Sequence, residues 1–194
     1  MSARDVLLHG TVWAAMATWA AAEACWAFRP WRPRDDEATV TTTVHGRPGL
    51  SCHDAARILW TIGALSLAAH LAAAMQFRHG WSHAAVVAET ARQTEAKFGM
   101  NWGGGVWFNY AMILLWTVDA VYSWVAPTLH DRSRTWRRSV QGFFLFMWFN
   151  GAVVFLTGPV RWSGAIACAV VIAAWWWRWR WRWHRGRTSP ATLA

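Results

Sequence analysis

Cysteine, lysine and charge in general are scarce in this chain of 194 residues. Its three cysteines, Cys25, Cys52 and Cys168, stand at irregular spacings with no C-x-x-C pair. That excludes a disulfide scaffold and offers no zinc or dithiol signature, so they read as ordinary small residues. Lys97 is the one lysine among 19 basic residues, a bias that points to a GC-rich bacterial genome more than to guanidinium chemistry. Charged residues make up 15% and hydrophobic residues 55%, too apolar for a disordered chain, and the length is that of one domain. Neither phosphate-loop context, G-x-x-x-x-G-K-[ST] or G-x-G-x-x-G after a strand, is present, and neither is H-E-x-x-H or a Ser-His-Asp order; nucleotide and hydrolase chemistry have no motif here. No internal repeat is visible, which removes the signature of an inverted-repeat transporter.

What the chain has is apolar length, tryptophan and arginine. A hydrocarbon core about 30 Å thick needs roughly 20 mostly apolar helical residues, and five stretches meet that need: about 7–28, 55–77, 106–125, 140–156 and 163–183. The last is apolar only as far as Trp177, so it crosses if the tryptophans and arginines beyond lie at the interface. The mean hydropathy of +0.13 understates this pattern, because the scale penalises Trp and Arg, which cluster where interfaces are expected. The expected fold is therefore an all-α integral membrane protein, a single membrane domain of about five transmembrane helices.

Five crossings put the termini on opposite sides, and arginine decides which. Fourteen basic residues fall in one set of loops and five, Arg4, Arg78, Arg92, Lys97 and Arg161, in the other. The positive-inside rule then places the N-terminus outside and the C-terminus in the cytoplasm of a bacterial inner membrane. The run ending A-A-E-A-C also resembles a signal-peptide end, with Ala22 and Ala24 at the cleavage site. Glu23 beside Cys25 fits a lipobox poorly, and cleavage would export the arginine-rich 29–53 connector, so the run reads as the first span. In that connector Pro30 and Pro33 oppose helix, and Ser51 is positioned to cap the second span.

Ionisable groups inside spans cost about 2.5 to 3.5 kcal/mol each on insertion scales, so each needs a partner or a wet cavity. Glu23 lies roughly 24 Å down the first helix and Asp119 about 20 Å down the third. That depth lets them meet as an intramembrane proton or ion site, with Arg57 or Tyr122 to compensate, or else simply bond neighbouring helices and fix packing. His70, about 10 Å below the external surface, together with His9, His79 and His83, supplies the residue types for a transition metal or haem, without a spacing specific to either. Gly80 and the cap residue Ser82 are expected to break the helix between His79 and His83.

The stretch 82–98 predicts an external amphipathic surface helix with Ala84, Val87, Ala88, Ala91 and Phe98 on one stripe and Glu89, Arg92, Gln93 and Lys97 on the other. The glycines of N-W-G-G-G-V-W read as a hinge, or as a backbone lip over the His70 pocket. Trp175, Trp176, Trp177, Arg178, Trp179, Arg180, Trp181, Arg182 and Trp183 read as a lipid-interface anchor for anionic headgroups at the C-terminal face; adjacency to a span favours lipid over nucleic acid. Together these features point to a non-enzymatic membrane protein, an accessory or structural subunit packing on a larger partner or in a homo-oligomer. The alternatives are a redox or metal-binding protein using the external histidines, and a proton-coupled carrier using Glu23 and Asp119.

Overall fold

The structure, a computed structural model, describes residues 2–28 and 52–187, without the side chains of residues 131, 132, 134, 159, 160 and 182–187. Most of the 29–53 connector, with the expected cap Ser51, lies outside the described residues. All regular structure among them is helical: α1 (Ala3–Ala27), α2 (Cys52–Ala74), α3 (His83–Phe98), α4 (Gly105–Val125), α5 (Pro127–Arg132), α6 (Arg134–Phe149) and α7 (Pro159–Arg187). Two single π-helical turns continue α2 and α6, over Met75–His79 and Asn150–Val154.

Local chemistry sets these boundaries. Ser2 Oγ accepts from the Asp5 amide at 3.3 Å while the Asp5 carboxylate accepts from the Ser2 amide at 3.1 Å, a reciprocal cap on α1. Those bonds to Ser2 hold the Asp5 carboxyl below its usual range. Gly80 ends the first π-turn at φ +55, a left-handed conformation that costs glycine nothing, and Ser82 Oγ caps α3 through the Ala85 amide at 3.3 Å. His79 and His83 therefore sit on separate helical segments. Pro127 occupies the first turn of α5, where its missing N–H would lack a partner anyway.

The five long helices close into a ring. α1 runs antiparallel along α2, α2 meets α4, α4 meets α6, α6 and its π-turn meet α7, and α7 returns to α1. α3 lies on α4 and the first π-turn, and α5 bridges α4 and α6. The ring is filled by tilted aromatics: Trp60 lies 5.0 Å from Trp26, 5.3 Å from Trp116 and 5.2 Å from Phe144, while Trp148 links Trp116 at 6.3 Å to Trp19 at 6.0 Å. Alanines (Ala15, Ala22, Ala56, Ala64) fill the space between these rings, so α1 and α2 approach closely. At Gly63 there is no room for a side chain, since a Cβ would fall 2.4 Å from the Trp116 ring and 2.9 Å from Thr18 Oγ1.

Three features depart from the sequence reading. α6 begins at Arg134 rather than near Val140, because the unbranched arginines continue the helix at little cost. The short α5 stands where a plain loop was expected. On α3 the buried positions are Ala91 and Thr94, while Phe98 at the end of the predicted stripe is 53% exposed. By length and composition, one helix among the described residues, the 28-residue run Cys52–His79, whose most apolar 18-residue window has a mean hydropathy of 1.7, is long and apolar enough to cross a membrane.

The packing at Gly63 is testable. Gly63→Ala is expected to cost about 1–3 kcal/mol of overpacking, read as a lowered Tm in mild detergent. Gly10→Ala, where a Cβ meets nothing within 4 Å, should leave Tm unchanged or slightly raised.

Candidate functional site

The α1 face that carries Ala15, Trp19, Ala22 and Trp26 inward also carries Glu23, which is fully buried. Its Oε2 accepts from Gln141 Nε2 of α6 at 2.7 Å and from Trp175 Nε1 of α7 at 2.9 Å. Its Oε1 has no hydrogen-bond partner. On α4 the inward stripe Met112, Trp116 and Ser123 carries Asp119, also buried. Asp119 Oδ1 accepts from Trp136 Nε1 at 2.5 Å and from the Nε2–H of His130 at 3.0 Å. The Tyr122 ring stands edge-on to both donors, 5.4 Å from His130 and 6.4 Å from Trp136.

Arg137 of α6 has its guanidinium 5.5 Å from the centre of the Trp26 ring. Asp119, His130, Arg137 and Gln141, roofed by Trp26 and Trp60, surround a cavity of about 10 Å³, at the lower limit of what admits one water molecule. At the end of α1, where no basic residue of its own last turn faces the C-terminal carbonyls, Arg178 of α7 donates to the carbonyls of Trp26 and Ala27. A cation there is favoured by the negative end of the helix dipole.

Both carboxylates are buried, Glu23 bonded to α6 and α7 and Asp119 to α5 and α6, and the groups around them are not the expected ones. Arg57 lies over the Trp124 ring at 5.7 Å, and Tyr122 packs on the donors rather than compensating the charge. His130, Trp136, Arg137, Gln141 and Trp175 take that role. Two signals could have found them. Pro127 marks a helix start that carries His130 back over α4, and the buried spacing Val140, Phe144, Trp148, extended one turn upstream, places Arg137 and Gln141 on the same face.

The histidines lie at the other end of the bundle. His9 donates from Nδ1 to the Asp5 carbonyl at 2.8 Å, and His70 from Nδ1 to the Leu8 carbonyl at 2.9 Å. His83 pairs with the Tyr110 hydroxyl at 3.0 Å and packs on Trp107 at 5.6 Å. His79 lines an open groove of about 560 Å³ with Arg78, Glu89, Arg92 and Gln93. There Arg92 donates to both Glu89 oxygens, at 2.9 and 2.6 Å, and so holds that carboxyl below its ordinary range. Among the described residues no three His, Cys, Asp or Glu side chains gather as a metal site would need. Gly103 presses on α3, where a Cβ would fall 2.6 Å from the Val87 carbonyl oxygen, so the glycine run serves close packing.

The tryptophan and arginine tail divides by helical face. Trp175 and Arg178 turn inward onto α1, while Trp176, Trp177, Trp179, Arg180 and Trp181 are exposed, with Arg180 5.2 Å over the Trp176 ring. The side chains of Arg182 and Trp183 lie outside those described.

No family model, curated protein or solved structure matches this chain. Its chemistry is therefore read from the cluster itself: two buried acids held by neutral N–H donors, one guanidinium and one imidazole, a set that can hold or exchange protons. If Asp119 and Trp136 act as one unit, a double-mutant cycle of Asp119→Ala with Trp136→Phe should show a coupling of about 0.5–3 kcal/mol in detergent unfolding. Strict additivity would mean that the bond contributes nothing.

Proposed function

We propose that this chain is an integral membrane protein of non-enzymatic type, a five-crossing bundle that serves as an accessory or structural subunit against a larger membrane partner. The observation that carries this reading is the inverted placement of side chains. Glu23, Asp119 and His130 are buried, while Leu65, Leu114, Val125 and Ile166 on the outer faces are 63–78% exposed. Water would penalise both halves of that arrangement, whereas a bilayer requires the apolar outside and sends ionisable groups to the interior.

Helix length supports the same reading. α1 has 25 residues, the Cys52–His79 run 28, α4 21 and α7 29, and α6 with its π-turn adds 16 and 5. Each reaches the roughly 20 residues that a hydrocarbon core needs. The arginine asymmetry favours an external N-terminus and a cytoplasmic C-terminus in a bacterial inner membrane. Exposed Trp176, Trp177, Trp179 and Trp181 suit the headgroup level, and each arginine near anionic lipid adds about 1 kcal/mol.

The protein is expected to remain in the membrane pellet through alkaline carbonate extraction; release with peripheral proteins would overturn the reading. Replacing Trp176, Trp177, Trp179 and Trp181 together by leucine should lower the mass of the complex solubilised in mild detergent while leaving the bundle folded. An unchanged mass would overturn the subunit role. A second reading, a proton-coupled carrier, is supported by the burial of two carboxylates, Glu23 and Asp119, inside the bundle. A stoichiometric metal or a Soret band in the purified protein would instead move the function to His70 with His9, His79 or His83.

A further inference from the structure

The Glu23 carboxyl is bonded unequally. Oε2 receives two N–H donors while Oε1, in a fully buried side chain, receives none. An ionised carboxylate spreads its charge over both oxygens, and a bare anionic oxygen away from water is penalised far more than a neutral hydroxyl lacking one bond. Asp119 likewise gathers two donors on one oxygen, Trp136 and His130 on Oδ1, but one of them is an imidazole. Among the described residues Glu23 is the one that leaves a buried carboxyl oxygen without a hydrogen bond.

The charged and titratable groups around Glu23 come from every packed element. α2 brings His53 and Asp54, 3.9 Å apart in its first turn, and Arg57 over Trp124. α4 brings Asp119 and Tyr122, α5 brings His130, α6 brings Arg137 beside Trp26, and α7 brings Arg178, which donates to the α1 carbonyls. Arg137 lines the small cavity with Asp119 and Gln141, and Arg178 and Arg57 are engaged with a helix terminus and an aromatic face.

We propose that Glu23 is a proton-binding site, taking one proton from water at Oε1 to become a neutral carboxylic acid while Oε2 keeps the donors Gln141 and Trp175. The ligand is the proton itself, and Gln141, which donates to Glu23, also lines the small cavity shared by Asp119, His130 and Arg137. This deepens the proton-site reading and is independent of the subunit role: carbonate extraction bears on the one and the protonation state of Glu23 on the other.

The test is infrared spectroscopy of the intact chain in detergent at neutral pH. The expected result is a carboxylic-acid carbonyl band that shifts when glutamate is ¹³C-labelled at its side-chain carboxyl, is unmoved by aspartate labelling, and is lost completely in Glu23→Gln. The other glutamates, Glu37, Glu89 and Glu95, are all retained in Glu23→Gln, so a band from any of them would survive that substitution. The labelled unsubstituted protein carries the test if Glu23→Gln fails to fold. No acid band, or one that follows the aspartate label, overturns the proposal. So does a band that disappears on exchanging potassium for sodium at constant pH, which would make the cluster a sodium site.

Discussion

Trp60 touches Trp26, Trp116 and Phe144, all with ring centres within 5.3 Å, and so fastens α2 to α1, α4 and α6 at once. Tilted aromatic pairs of this kind are each worth about 0.5–1.5 kcal/mol beyond the area they bury. Everything else is arranged to let that contact form. The alanines of α1 and α2 thin both helices, Gly63 leaves the space that the Trp116 ring fills, and Trp148 carries the stack back to Trp19 on α1. A ring of helices around large rigid side chains has few alternative packings, which is how the seven helices and two π-turns of the described residues specify one arrangement.

The polar layer occupies one end of that stack, where α1, α4 and α7 finish and α2 and α6 begin. Trp26 belongs to both: its ring packs on Trp60 and carries Arg137 on its other side, while its carbonyl accepts from Arg178. The acids are thus held by groups whose positions the aromatic core sets. Neutral N–H donors predominate, from Gln141, Trp175 and Trp136, which bond the buried acids while adding few full charges that would each need their own solvation. The opposite end is looser, with histidines bonded to backbone carbonyls and an open groove beside α3.

Much of this was legible in the sequence and some was not, for physical reasons. Apolar length located the long helices, and counting 1.5 Å per residue placed Glu23 and Asp119 at matching depth. Helical periodicity tells which residues share a face of one helix but not which helix lies opposite. Arg137 was counted as a loop charge because arginine before an apolar run usually marks an interface, and His130 was passed over because 126–139 looked like connector. Trp175 and Arg178 read as part of a lipid anchor because composition alone does not distinguish the inward face of α7 from its outward one.

The sequence by itself determined that the chain is helical, where its long helices run, and which ionisable groups they must carry inward, since these follow from local hydropathy, caps and the 3.6-residue repeat. Only the tertiary structure decided what those groups meet. Glu23 and Trp175 are 152 residues apart, and their bond exists because α7 closes the ring against α1. That closure depends on side-chain shape around Trp60 and Gly63, a property of five helices together and of none singly.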